Sequence, residues 1–89
     1  MPTVWIPSLM RKLTDGVEKI KLDAVSVGQI VMQLDEKYPG FRKRICDEQE
    51  NRIRPNIAIM VDGRNVRMGL QEKVDQNSEV HFLPAIKGG

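Results

Sequence analysis

The chain has 89 residues, which is enough for one domain with one hydrophobic core but leaves no room for a second. Apolar residues make up 40% and charged residues 29%, a globular balance, and the net charge of +2 is too small to indicate a nucleic-acid-binding protein. With one Cys and one His, an internal disulfide framework is excluded and no metal site is expected.

The apolar segments are short. The N-terminus has three apolar residues in a row, at positions 4–6, with no basic cluster before them, so no secretory signal is predicted. The longest apolar run elsewhere covers residues 57–61, far below the roughly 18 residues of a transmembrane helix. We therefore expect a cytoplasmic protein with no membrane partner.

Two short strands are predicted at the start of the chain. Val4 and Ile6 form the first, which Pro7 ends. Residues 17–22 form the second, because Ile20 and Leu22 alternate with lysines. Turn-forming residues 14–16 lie between the two strands and predict a hairpin.

An amphipathic helix is predicted over residues 26–37. Ser26 and Gln29 match a capping box, and Pro39 and Gly40 end the helix. Its apolar positions have the spacing of one helix face, and they are Val27, Ile30, Val31 and Leu34.

The second half of the chain predicts three more strands. Residues 41–55 are densely charged and are expected to form an exposed connection with a helical turn near Ile45. Residues 57–61 alternate as a core strand, and a tight turn at Asp62 and Gly63 leads into a hairpin strand at residues 65–66. Residues 80–83 form the last strand, which Pro84 ends. This order predicts an α+β unit with one helix packed on a single sheet.

The chain ends in Lys87, Gly88 and Gly89, a short distance after the last strand. We therefore divide it into a domain of residues 1–84 and a flexible tail of residues 85–89. Because glycine has no side chain, such a tail fits a channel too narrow for any larger residue. A tail without function is the alternative, since disordered ends tolerate glycine.

Other candidate sites are weaker. Seven basic residues (Lys19, Lys21, Arg42, Lys43, Arg44, Arg52 and Arg54) with Trp5, Tyr38 and Phe41 as stacking partners would suit RNA. The acidic residues at 47, 48 and 50 favour an ordinary solvated surface instead, so no nucleic-acid partner is predicted. We expect His81 to be structural and Cys46 to be a packed small residue, so no catalytic residue is predicted.

Over essentially its whole length the chain resembles the ubiquitin-like sulfur carriers (MoaD/ThiS-like proteins). The resemblance is carried by residues 6–11 (Ile-Pro-Ser-Leu-Met-Arg), by residues 56–63 (Asn-Ile-Ala-Ile-Met-Val-Asp-Gly) and above all by residues 79–89 (Glu-Val-His-Phe-Leu-Pro-Ala-Ile-Lys-Gly-Gly). The Ile-Pro pair, Leu9 and the charged connection are most similar to the cysteine-biosynthesis branch. The chain departs from the family at residues 76–78, where an Asp-Gly-Asp turn is usual, and at Lys87, where a small residue is common.

The resemblance implies a β-grasp fold, with one helix on a mixed sheet of four to five strands, and a carrier rather than an enzyme. It implies that a ubiquitin-activating-like enzyme uses ATP to adenylate Gly89, and that a sulfur donor then forms a thiocarboxylate there. Lys87 and Gly88 would thread into the partner, and the chain itself would bind no cofactor. Further implied partners are a sulfur-acceptor synthase, pyridoxal-phosphate-dependent enzymes among them, and a metallopeptidase that trims the C-terminus.

Two functions fit the same tail. The first is sulfur donation in biosynthesis, with cysteine or methionine favoured over a siderophore-type metabolite, molybdopterin or thiamine. The second is a protein modifier joined through Gly89 to target lysines. In either case the tail is too small for specific docking. Strand alternation predicts that Met60, His81 and Leu83 face outward. Because exposed Met60 and Leu83 need to be covered, we expect this surface to contact the partner, with loops or a second copy of the chain as the alternative cover.

Overall fold

The computed structural model describes residues 1–84, so the tail at 85–89 lies outside the described residues. Within residues 1–84 there are seven strands and two α-helices. In chain order they are β1 Thr3–Trp5, β2 Lys19–Lys21, α1 Val27–Lys37, α2 Phe41–Ile45, β3 Cys46–Asp47, β4 Arg52–Ile53, β5 Ile57–Val61, β6 Arg64–Asn65 and β7 Glu79–Pro84. Neither α-helix of this part of the chain is long and apolar enough to cross a membrane.

Five strands form one mixed sheet in the order β2-β1-β7-β5-β6. The first and last strands are parallel neighbours at its centre, where Val4 pairs with Val80. The other neighbours are antiparallel, and both predicted hairpins, β1 with β2 and β5 with β6, are present. The predicted mixed sheet with one main helix is therefore confirmed.

Helix α1 begins at the predicted cap. The Ser26 hydroxyl accepts a hydrogen bond from the Gln29 backbone N–H at 3.2 Å. The Gln29 side chain reaches back to the N–H of Val25 at 2.9 Å rather than to that of Ser26, so the second half of the capping box is shifted by one residue. The four predicted apolar residues of α1 are all buried in one cluster with the inner face of the sheet.

The prediction of an exposed connection over residues 41–55 is wrong, although the helical turn near Ile45 is present. Phe41, Ile45 and Cys46 are fully buried, and the Phe41 ring packs edge-on against Phe82 at 5.8 Å. Phe41 and Ile45 lie four residues apart, so they share one face of α2 and the basic residues between them occupy the others. The short hairpin of β3 and β4 follows directly.

The predicted tight turn at Asp62 and Gly63 is confirmed. Both residues have positive φ, 52° and 81°, as a two-residue hairpin turn of type I′ requires. The Asp62 carboxylate accepts a hydrogen bond from the Glu79 N–H at 2.8 Å and so ties this turn to β7. The strand after the turn covers residues 64–65, one position earlier than predicted.

A close contact fixes α1 against the 3₁₀ turn Gly69–Gln71. The backbone N–H of Val27 donates to the Glu72 carbonyl at 2.9 Å. A Cβ atom on Gly28 would lie 2.9 Å from the carbonyl oxygen of Leu70, which is closer than real Cβ contacts allow. Glycine at position 28 therefore lets the helix and the turn touch backbone to backbone.

Candidate functional site

The described part of the predicted site is the place where the chain leaves the sheet toward the tail. Strand β7 ends at Pro84, which pairs with Ile57 of β5. The tail residues Lys87, Gly88 and Gly89 lie outside the described residues, so their predicted role stays a prediction. Pro84 thus fixes the point on the domain from which the tail starts.

Met60, His81 and Leu83 lie on the outer face of the sheet, as the alternation predicted. Met60 is directly opposite His81, and Ala58 is opposite Leu83. Their neighbours Val80 and Phe82 are buried on the inner face, whereas the Leu83 side chain is 39% exposed and Met60 and His81 are half-buried. The docking role of these three residues is not tested by their position and stays a prediction.

The Trp5 side chain joins this outer face at its centre. Its ring stacks on His81, with the ring centroids 5.4 Å apart and the planes within 5° of parallel. The Lys19 ammonium lies 5.2 Å from the ring, and the indole N–H donates to the Glu79 carboxylate at 3.2 Å. The His81 ring is therefore held in a stacked pair on the outer face of the sheet.

Leu9 is the most exposed leucine near the tail exit. It lies in the 3₁₀ turn Ser8–Met10, and its side chain is 76% exposed. Leu9, Leu83 and Pro84 line one surface depression of about 140 Å³, with Arg44 and Asn56 also among its lining residues. Two solvent-exposed leucines beside the tail exit form an apolar patch that a partner can cover.

Strand alternation and the family resemblance predict no docking role for Trp5 or Leu9. In the sequence, Trp5 stands out as a candidate for base stacking and Leu9 as part of the motif shared with the sulfur carriers. Both residues reach the site because β1 runs parallel to β7, which brings the segment after Trp5 beside Leu83 and Pro84. The sequence does contain one indication of the exposure of Leu9, because the residue follows Pro7 and Ser8, which are typical of an exposed turn.

Cys46 is the packed residue that the sequence predicted. It is fully buried, and this burial raises the pKa of its thiol, more than Arg42 and Arg54 lower it. The thiol is therefore neutral at physiological pH and is not activated as a nucleophile.

The acidic residues that follow Cys46 form a turn, in which the Asp47 carboxylate accepts hydrogen bonds from the N–H groups of Gln49 and Glu50. In the part of the chain that the structure describes, no group of three metal-ligating side chains is present.

The stacking partners considered for RNA do not lie together on one basic surface. Phe41 is fully buried, so its ring is not accessible to a base, and that part of the alternative is wrong. Tyr38 is half-buried against the core, and Trp5 already stacks on His81. Of the three rings, Phe41 is therefore closed to a base, and Trp5 has one face covered by His81.

Comparisons with known proteins agree with this geometry. The model of the ThiS family matches residues 4–89. The sulfur carrier protein CysO of Mycobacterium tuberculosis is 28% identical over 90 residues, which cover 98% of this chain and 97% of that protein. Small archaeal modifier protein 3 of Haloferax volcanii is 26% identical over 69 residues, or 75% of this chain and 73% of that protein.

A solved structure extends the comparison to three dimensions. A chain in the crystal structure of the BexX/CysO complex of Amycolatopsis orientalis is similar to this one with a TM-score of 0.88 and 26% identity, and the match covers 100% of both chains. The predicted β-grasp fold and the predicted resemblance to the sulfur carriers, in particular to the cysteine-biosynthesis branch, are confirmed.

Proposed function

The chain belongs to the ThiS family, and from this membership we propose that it is a sulfur carrier that works through a thiocarboxylate on Gly89. The observation that supports the proposal most is the extent of the family match, which runs through residue 89 and so includes both glycines. Membership of this family, with the carrier name of its relative, also confirms the prediction that the chain is not an enzyme.

The chemistry begins with activation of the terminal carboxylate. A carboxylate is anionic at neutral pH and is a poor electrophile. In the activating enzyme an oxygen of Gly89 attacks the α-phosphorus of ATP, pyrophosphate leaves, and an acyl-adenylate forms. A sulfur donor at the oxidation level of sulfide then attacks the acyl carbon, and AMP leaves. The product is a thiocarboxylate, and ATP is a substrate of the partner rather than a ligand of this chain.

The second half of the cycle uses the new sulfur as a nucleophile. An acceptor enzyme would enclose the tail, so that the sulfur attacks an electrophilic carbon of the substrate away from water and displaces its leaving group, which gives a thioester. Hydrolysis of the acyl C–S bond then releases the thiol product and restores the Gly89 carboxylate. The complex of the CysO relative with BexX supports a partner that binds the carrier directly. We favour cysteine or methionine as the product, with a siderophore-type metabolite, molybdopterin and thiamine as the other candidates.

The docking surface of this proposal surrounds the tail exit. It consists of Trp5, Leu9, Met60, His81 and Leu83, and we call it the exit face. A stable interface takes roughly 800 Å² from each partner, which a five-residue tail cannot supply, so the exit face must contribute. Its occupant is the enzyme that holds the tail: first the activating enzyme, then the acceptor enzyme. The exposed leucines beside Pro84 support this assignment because covering them removes apolar surface from water.

Deleting Gly89 tests the proposal. The variant should unfold at the same temperature as the wild type and should give neither ATP-dependent adenylation nor a thiocarboxylate, which mass spectrometry detects as the exchange of one oxygen for sulfur. Gln76→Ala, at an exposed position in the turn before β7, is the matched control and should be adenylated normally. Adenylation of the deletion variant would exclude both the carrier and the modifier function.

Protein modification is the second candidate, supported by the similarity to small archaeal modifier protein 3. It uses the same activation, but the acyl group passes to a lysine amine and forms an isopeptide bond. Mass spectrometry of proteins purified with the tagged chain separates the two functions. Thiocarboxylate without adducts supports the carrier, whereas target lysines joined to Gly89 support the modifier.

A further inference from the structure

A groove of about 380 Å³ lies between β4, β5 and the segment that follows β6. Apolar side chains line part of it, among them Ile57, Ala58 and Val66. Three arginines line it as well: Arg52, Arg54 and Arg67. No acidic side chain is among its lining residues in the described chain. We call this feature the arginine groove.

The arginines of the groove have no carboxylate partner within the described residues. The one ion pair found in residues 1–84 joins Arg11 to Glu18. Two carboxylates lie close by, but each accepts hydrogen bonds from the backbone: Asp47, opposite Arg52, from residues 49 and 50, and Glu72 from the N–H groups of residues 67 and 68. The guanidinium groups of the groove thus keep most of their donors for a ligand.

The β4 and β5 side of the groove carries a net positive charge. Residues 52–61 contain two arginines, Arg52 and Arg54, and no acidic residue. Arg54 is also fixed in place, because its Nε–H donates to the Lys43 carbonyl at 2.9 Å. A fixed guanidinium loses less side-chain freedom when it binds a carboxylate than a free one does.

We propose that the arginine groove binds an acidic segment of a protein partner. Carboxylates of that segment would pair with Arg52, Arg54 and Arg67, and an apolar side chain between them would cover Ile57 and Val66. Guanidinium and carboxylate groups form strong, charge-assisted hydrogen bonds, and the apolar lining adds a contact that charge alone does not provide.

The lining of the groove favours a peptide over a nucleic acid. Single-stranded nucleic acids are bound by aromatic side chains on which the bases stack, as well as by cations. No aromatic residue of the described chain lines this groove. Its apolar residues are aliphatic, which suits a leucine-like side chain.

The groove adjoins the exit face. Ile57 lines both the arginine groove and the surface depression formed by Leu9, Leu83 and Pro84, and it pairs with Pro84 at the end of β7. A protein that holds the tail can therefore reach the groove at the same time. The identity of the partner as such an enzyme rests on the proposed function, whereas binding of an acidic peptide does not.

Fluorescence anisotropy with a short labelled peptide, in which two leucines are flanked by glutamates, tests the proposal. We expect saturable binding that weakens with salt and becomes about tenfold weaker or more in R52E/R67E. The matched control is K12E/K21E, which changes the net charge equally through two exposed lysines outside the groove and should bind as the wild type does. Circular dichroism checks that both variants fold. If R52E/R67E does not fold, R52Q/R67Q is used in its place.

Several results would overturn the proposal. The first is that the glutamate peptide does not bind. The second is that R52E/R67E and K12E/K21E weaken its binding equally. The third is that a peptide with serines in place of the leucines binds as tightly as the original peptide. Tighter binding of a polyuridine RNA through the same arginines would assign the groove to nucleic acid. Deleting Gly89 should leave peptide binding unchanged, so this experiment and the thiocarboxylate assay can fail independently.

Discussion

The two faces of the five-stranded sheet carry different kinds of residue from the same strands. On the inner face, Val4, Val80 and Phe82 are almost completely excluded from water. On the outer face, their immediate neighbours Trp5, His81 and Leu83 are half-buried or exposed. Because side chains alternate between the two faces along β1 and β7, each residue that stabilises the fold is followed directly by one that is available for recognition. Changes on the inner side should unfold the protein, and changes on the outer side should leave it folded and alter its contacts.

Truncating Leu34 to Ala should give the largest effect. Leu34 is fully buried in the cluster between α1 and the sheet, so we expect a loss of about 2–5 kcal/mol in the free energy of unfolding. Denaturant unfolding measures it. Met32→Ala, on the same helix with a side chain 60% exposed, should stay within about 0.5 kcal/mol. Equal effects of the two variants would mean that the inner face of α1 is assigned wrongly.

The Gly28→Ala variant should change the stability of the protein in the direction opposite to the usual effect of Gly→Ala in a helix. In an open helix this change stabilises by about 1 kcal/mol, since Ala is the better helix former. At Gly28 the new Cβ would meet the Leu70 carbonyl at 2.9 Å, so we expect a loss of about 1–3 kcal/mol. Thermal unfolding decides between the two, and a stabilised variant would contradict the backbone contact between α1 and the Gly69–Gln71 turn.

Replacing Leu83 with Asp should have the smallest effect on stability. The side chain is 39% exposed on the outer face but lies within a strand, so we expect the protein to stay folded with the free energy of unfolding lowered by about 1 kcal/mol. Binding to the activating enzyme, measured by isothermal titration calorimetry, should weaken strongly, because a charge would replace an apolar contact at the exit face. Val25→Asp, at an exposed apolar position away from that face, should bind normally. Normal binding by a folded L83D variant would place the docking surface elsewhere.

The sequence predicts best those parts of the fold in which apolar residues recur at a regular spacing. Residues 57–61 and 80–83 alternate because one face of the sheet is buried, and α1 repeats apolar positions over two turns. Residues 41–55 were not predicted because α2 has one helical turn and β3 and β4 have two residues each. Such short elements contain no repeat, and the burial of Phe41 and Cys46 depends on tertiary contacts with the core.

The residues of the candidate site also fall into two groups, those that the local sequence predicts and those that it does not. The glycine pair and the outward direction of Met60, His81 and Leu83 follow from local sequence. The contributions of Trp5 and Leu9 do not, because they depend on the pairing of β1 with a strand from the other end of the chain. The arginine groove also combines residues from separate segments, which alternation within one strand cannot bring together.

The central position of β7 has a consequence for biosynthesis of the protein. During translation, β1 and β5 remain without their shared neighbour until residues 79–84 have left the ribosome. A chain that stops before β7 would expose two unpaired strand edges and the apolar inner face, a state prone to aggregation and proteolysis. Because β7 directly precedes the glycine tail in the chain, any chain that carries this tail also carries the strand that completes the sheet.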